Sequence, residues 1–429
     1  MTAELTYPIH SRTLANGLRV VVSPDHSVPM VAVNLWYDVG SRDERAGEHG
    51  WAHLFEHLMF SGSAHVASGE HLNTLQSFGG SVNATTWFDR TNYFETVPVG
   101  VLDLALWMEA DRLATVGSTL TATAVDTQRE VVKEEKRQRY DNVPYGDAMR
   151  HLSALAFGPA HPYGHTTIGS MADLDAATPE RAAAFFANHY RPDNAVLTLV
   201  GDVTGKDGVK RADRAFGHLP SWNPRRRPPL ASLPPLSGVP TVGLSGRVPA
   251  AATYFAWRLP PRDTPGFDAC DLALAVLGGG QTSRLHRELV RNHRVAASAG
   301  ASALALIGGN SLGLVHLRAI PGETADAATA SAISEIARLA ESGPTQSELA
   351  RAKAQYTREW LTELSGFDSR ADLISAYTTL HDDPGLVNTR LDAVSSISRR
   401  DVAQACGQYL RPDQRCQLDY RQEAIDVPQ

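Results

Sequence analysis

An internal echo constrains this chain more than any other feature of its sequence. Arg42-Asp43 returns as Arg262-Asp263, and Arg191-Pro192-Asp193 returns as Arg411-Pro412-Asp413, both at one offset (262 − 42 = 411 − 191 = 220). The surroundings repeat too. Each Arg-Asp pair follows an apolar segment, residues 31–39 and 253–259, and precedes a helix-like one. Each Arg-Pro-Asp follows a helical stretch ending in tyrosine, at Tyr190 and at Tyr409. Two matches at one offset in matched contexts point to a duplicated domain. A chain of 429 residues also exceeds what one hydrophobic core usually organises. Between the copies, residues 220–240 are dense in proline and carry Arg225, Arg226 and Arg227. Such a stretch favours extended, semi-rigid chain, and its arginines read as a solvated linker face. The expected division is residues 1–219, a linker at 220–240, and a homologous half at 241–429.

Within a half the periodicity is mixed. Residues 18–23 and 30–39 read as paired strands, and 81–97 alternates in a β-rich manner. Residues 49–60, 101–116 and 121–140 carry helical spacing. Hairpin-like strands with intervening helices imply an α+β fold, each half a largely antiparallel sheet packed with helices.

The motif that carries chemistry is His53-Leu54-Phe55-Glu56-His57. On a helix His53 and His57 are one turn apart on one face, about 6 Å along the axis, so their imidazoles can converge on one ion. Glu56 sits beside that face, within reach of a water on the metal. Zinc needs this division of labour: neutral nitrogens and a carboxylate hold it, one position stays open for water, and a nearby carboxylate takes the proton. A third ligand is offered by the helical run from Gln128 to Lys136. Glu135 lies i+4 from Val131 and i+3 from Val132 and shares their apolar face, whereas Glu134 leans toward solvent. Glu135 is therefore preferred as ligand. His49, His65 and His71 do not match this geometry and read as ordinary surface or core histidines.

These residues resemble the pitrilysin or insulinase family of inverted (H-x-x-E-H) zinc peptidases, the inverzincins, in its short two-domain members similar to mitochondrial processing peptidase subunits. The resemblance runs from Leu14-Ala15-Asn16-Gly17-Leu18 through the His53–His57 motif. It continues through Gly79-Gly80-Ser81-Val82-Asn83-Ala84, Val131 to Glu135, and His161-Pro162-Tyr163-Gly164 to Tyr190-Arg191-Pro192. It implies two homologous α+β domains, a zinc endopeptidase acting on extended peptides, and Glu135 as the distal ligand. Where the family often has a supporting glutamate seven residues before that ligand, this chain has Gln128. The β-rich run at 81–86 could pair with a substrate backbone, which singles out Asn83 and Ala84.

The offset maps His53, Glu56 and His57 onto Ala273, Val276 and Leu277, so the second copy offers no ligands and one Zn2+ per chain is expected. The resemblance further implies an arginine and a tyrosine in the second half that reach the substrate. Arg291 occupies the arginine position, but Ala296-Ala297-Ser298 stands where the tyrosine would fall. Some family members pair a zinc-bearing subunit with a homologous zinc-free partner that supplies both. A heterodimer with this chain as the metal-bearing half is the resulting expectation, with a homodimer as the alternative. The rival function is a non-catalytic scaffolding homologue with a vestigial metal site.

Composition excludes rather than identifies. A net charge of −7 gives no reason for a nucleic-acid partner. No run of about 18 apolar residues is present, so no membrane association is expected. Gly278-Gly279-Gly280 lacks the Lys-Ser/Thr of a phosphate loop and reads as a turn. The three cysteines are too few for a disulfide framework, and the N-terminus shows no basic stretch leading into an apolar one. Both suit a cytoplasmic protein.

Overall fold

A computed structural model describes residues 6–221 and 227–423. The described chain forms two compact units. One comprises residues up to 135, 166–227 and 359–390; the other comprises 136–165, 228–358 and the chain from 391 onward. Two stretches thus cross the sequence midpoint: 136–165 pack with the second unit and 359–390 with the first.

The first unit holds β1 (His10–Thr13), β2 (Arg19–Pro24), β3 (Met30–Tyr37), β4 (Ser81–Thr86), β5 (Thr91–Pro98) and β6 (Ala195–Gly201). They form one sheet in the order β1-β2-β6-β3-β5-β4. The second unit holds β7 (Thr241–Gly246), β8 (Ala252–Leu259), β9 (Ser298–Leu304), β10 (Ser311–Arg318) and β11 (Cys416–Gln422), in the order β7-β11-β8-β10-β9. Apart from the extra β1 the two sheets are the same. Each has one parallel pair, β2 with β6 and β7 with β11, and otherwise antiparallel neighbours. Duplication and the α+β class are both visible in that correspondence. The echoes behave alike as well. Arg191 pairs with Asp193 at 2.8 Å and Arg411 with Asp413 at 2.7 Å, each in a short turn leading into β6 or β11.

The central strands of the first sheet read as near-continuous apolar runs because they are buried on both faces. Every residue of β6 is buried, and Val20, Val21 and Val22 of β2 are fully so. Four helices matter for the site: α1 (Trp51–Leu58), α2 (Glu70–Ser77), α3 (Leu102–Thr119) and α4 (Ala122–Lys136). A later helix, Phe367–His381, packs on β3 and β6. Its Asp372 accepts hydrogen bonds from Trp36 Nε1 at 2.7 Å and Asn92 Nδ2 at 2.9 Å, two donors on buried residues of the sheet, the second of which also reaches Asn34 Oδ1 at 3.3 Å. In the second unit the core gathers Phe255, Trp257, Leu274 and Leu289 around the helix Pro265–Gly278. That helix ends on the glycines at 278–280, and Gly280 turns with a positive φ of 78°.

One expectation needs correction. Arg227 is not a solvated linker residue: its guanidinium pairs with Asp38 at 2.9 Å and Asp43 at 2.6 Å and donates to the Asp89 carbonyl. Two carboxylates and a carbonyl from the first unit converge there, and no local composition signal reveals that. Arg225 and Arg226 lie outside the described residues.

Candidate metal centre

The site begins with how α1 is held. Gly50, the residue before it, has φ 102°, and a Cβ there would come within 2.8 Å of the Ile168 carbonyl, so glycine is required. The first helical amides are satisfied by a carboxylate: Glu44 accepts from the backbone N–H of Gly50 at 2.9 Å and of Ala52 at 2.8 Å. A negative charge at a helix N-terminus also complements the helix dipole. Asp173 accepts from the His49 amide, and its carbonyl accepts from Trp51 Nε1. Trp51, Leu54, Phe55 and Leu58 are buried, with Phe55 packed on Phe185, Phe186 and Tyr190. With those positions facing the core, His53, Glu56 and His57 fall on the remaining, half-buried flank.

On that flank the imidazoles of His53 and His57 stand edge to face, ring centres 4.9 Å apart. Glu135 Oε2 of α4 lies 3.6 Å from His53 Nε2 and 3.4 Å from His57 Nε2. Donors about 2.1 Å from a shared tetrahedral centre lie about 3.4 Å from one another, so two imidazole nitrogens and one carboxylate at these separations fit a zinc ion. Glu134 is exposed and takes no part in this cluster. The reason differs in part from the helix-face argument. Val132 is fully buried, as expected, but Val131 is 45% exposed, so only the i+3 relationship holds.

Glu56 sits between the histidines in sequence and receives a 2.6 Å hydrogen bond from Thr86 Oγ1 on β4. Burial raises its carboxyl above the ordinary range, against the opposing pull of Thr86, His57 and Arg90. Thr86 was not singled out by sequence; the only clue was its place in the β-rich run after Asn83. Asn83 and Ala84 lie on β4, the last strand of the sheet, and Asn83 Oδ1 caps the Ala84 amide at 2.8 Å. Arg291 belongs to the second unit, exposed at the end of the helical turn His286–Asn292. Ala297, at the tyrosine position, is exposed as well. Ala273, Val276 and Leu277 are buried in the second unit's apolar core.

A second set of candidate ligands gathers at His71, Glu95 and Glu109, all buried. Here the cation's place is taken. Arg112 clamps both oxygens of Glu109, and His71 Nε2 lies 3.5 Å away. Burial and the Glu109 charge push the Glu95 carboxyl well up, so it stays neutral beside its charged neighbour. One carboxylate and one guanidinium already balance, and a dication would add uncompensated positive charge to a dry interior.

Residues 19–167 match the family model for insulinase (peptidase family M16), and residues 176–356 match that for the peptidase M16 inactive domain. The chain is 29% identical to the zinc protease PqqE of Helicobacter pylori, over 96% of this chain and 93% of that one. It is 31% identical to an uncharacterized zinc protease of Mycobacterium leprae, over 80% of this chain and 76% of that one. The crystal structure of a protease from Helicobacter pylori superposes with a TM-score of 0.91 at 27% identity, covering 97% of this chain and all of the other. Among the described residues no helix is long and apolar enough to cross a membrane. With family models matched in order along the chain and a relative 31% identical over 80% of it, the chain belongs to peptidase family M16.

Proposed function

We propose that this chain is a zinc-dependent endopeptidase that hydrolyses peptides or unfolded polypeptides, with His53, His57 and Glu135 as metal ligands and Glu56 as general base. The observation that carries the reading is the convergence of His53 Nε2 and His57 Nε2 on Glu135 Oε2, at 3.6 and 3.4 Å, with Glu56 on the same helix flank. His53, His57 and Glu135 would hold the zinc, which would lower the pKa of a bound water toward about 7 and polarise a carbonyl oxygen. Glu56 accepts the proton of the attacking water, and its burial suits that task by making the carboxyl a better base than a solvated one. Asn83 and Ala84 on the edge strand β4 offer backbone groups along which an extended substrate can lie. Arg291 contributes to substrate binding. In this reading the first half bears the metal and the second is its homologue without ligands, joined through residues 220–240.

The alanine at position 297 is the reason to add a partner. A hydrogen-bond donor to the developing oxyanion is worth roughly 2.7–4 kcal/mol of barrier. A homologous zinc-free subunit supplying arginine and tyrosine restores that donor, so the working enzyme is a heterodimer with this chain as its metal-bearing half. The test is hydrolysis of a quenched fluorescent peptide by the chain alone and mixed with a co-expressed homologue, with and without chelator. Signal in the mixture that chelator erases is the expected result. In the same assay Glu56→Gln should keep its zinc while turnover falls by about 10²–10⁴-fold. A scaffolding role would show as no hydrolysis in any combination.

A further inference from the structure

We infer that Thr86 is a positioning residue for the general base, fixing the orientation of Glu56 and tying it to the edge strand β4. The inference rests on the assignment of Glu56 as base and extends it. Thr86 Oγ1 has one hydrogen to give and two oxygens near enough to receive it: Glu56 Oε2 at 2.6 Å and Thr91 Oγ1 at 3.4 Å. Thr91 spends its own hydrogen on the Val39 carbonyl at 3.0 Å, so it cannot donate back. The short bond to a carboxylate prevails over the long one to a hydroxyl, and the Thr86 proton points at Oε2. That bond commits one carboxylate oxygen and leaves Oε1 to take the proton of the attacking water.

The donor is itself fixed. Thr86 and Thr91 are the last register pair of β4 and β5, and the turn closes with the Trp87 amide donating to the Arg90 carbonyl at 2.8 Å. Arg90 donates to the Thr85 carbonyl at 3.0 Å and to Asn92 Oδ1 at 2.8 Å, and Asn92 is held by Asp372. A β-branched side chain on so rigid a strand end has little χ1 freedom. The hydroxyl therefore has little entropy left to lose in holding Glu56. Ala84 and Thr86, two residues apart on one strand, face the same side of the sheet. A peptide added along β4 is thereby placed on the same rigid element that orients the base, so substrate register and proton acceptor are set together.

The experiment compares Thr86→Val and Thr86→Ser with the native full-length chain, in whichever assembly turns over the peptide, reading kcat and KM separately. Zinc affinity by chelator competition, the melting temperature, and the Kd of the peptide for chelator-treated protein are measured alongside. Thr86→Val is isosteric and should keep zinc affinity and peptide Kd within about threefold, while kcat falls about 10–100-fold with KM little changed. Thr86→Ser should recover most of kcat. Native kcat in Thr86→Val, equal loss in both variants, or loss of zinc from Thr86→Val would each overturn the inference. Glu56→Gln separates the two levels. If it retains turnover, the base assignment fails; if it is inactive while Thr86→Val is native, only the role of Thr86 fails.

Discussion

Nε2 of His57 lies 3.4 Å from Oε2 of Glu135, a contact between the end of α1 and the end of α4. The donors come from two helices, so whatever fixes either helix fixes their spacing. Measurable consequences attach to this meeting point and to two more distant anchors of the fold.

The first concerns the start of α1. Glu44 receives the Gly50 and Ala52 amides at the start of the helix. Glu44→Ala should cost about 1–2 kcal/mol of stability. It should also weaken zinc binding, since His53 lies one residue beyond the capped Ala52. Thermal unfolding with and without zinc reads both effects, and a variant with native metal affinity would separate the cap from the site.

The second concerns the helix that reaches back from the later part of the chain. Asp372→Ala removes the acceptor of Trp36 Nε1 and leaves Asn92 Nδ2 only its longer bond to Asn34 Oδ1 at 3.3 Å, both on buried residues. A loss of about 2 kcal/mol is expected, measured by denaturant unfolding, with protection from hydrogen exchange falling first in residues 367–381. Asp372→Asn, which keeps one acceptor, should lose less.

The third is a pH dependence in the second unit. Burial raises the Glu348 carboxyl, but two bonds from Arg284 and the Thr345 amide outweigh that and hold it at about 2. A carboxyl depressed in the folded state stabilises above its unfolded pKa of about 4.5 and loses that contribution as pH falls toward 2. Glu348→Gln should therefore be about 2–3 kcal/mol less stable than the native chain at pH 7, and the two should converge in acid. A gap independent of pH would mean that Glu348 acts by packing alone.

Much of this was legible beforehand, for identifiable reasons. Helical spacing places His53 and His57 on one face whatever the fold, because one turn of α-helix is a local fact. Glu135 was legible through the buried Val132 three residues before it, although Val131 turned out exposed. The repeat was legible because Arg191-Pro192-Asp193 and Arg411-Pro412-Asp413 build the same ion pair ahead of a strand. What stayed hidden depends on partners far along the chain. Arg227 reads as one of a basic run until Asp38 and Asp43 are seen beside it. Nothing local in residues 367–381 says that the helix there covers the sheet of the first unit. Thr86 looks like any strand threonine until α1 brings Glu56 against it.

The central claim is that three side chains bind one zinc ion. Elemental analysis of the purified chain, after zinc loading and removal of excess metal, tests it directly. One equivalent is expected in the native protein, in Glu134→Gln and in Glu56→Gln, and close to none in His53→Ala, His57→Ala and Glu135→Gln. Full zinc retention by Glu135→Gln together with either histidine variant, or no zinc in the native chain, would contradict the account.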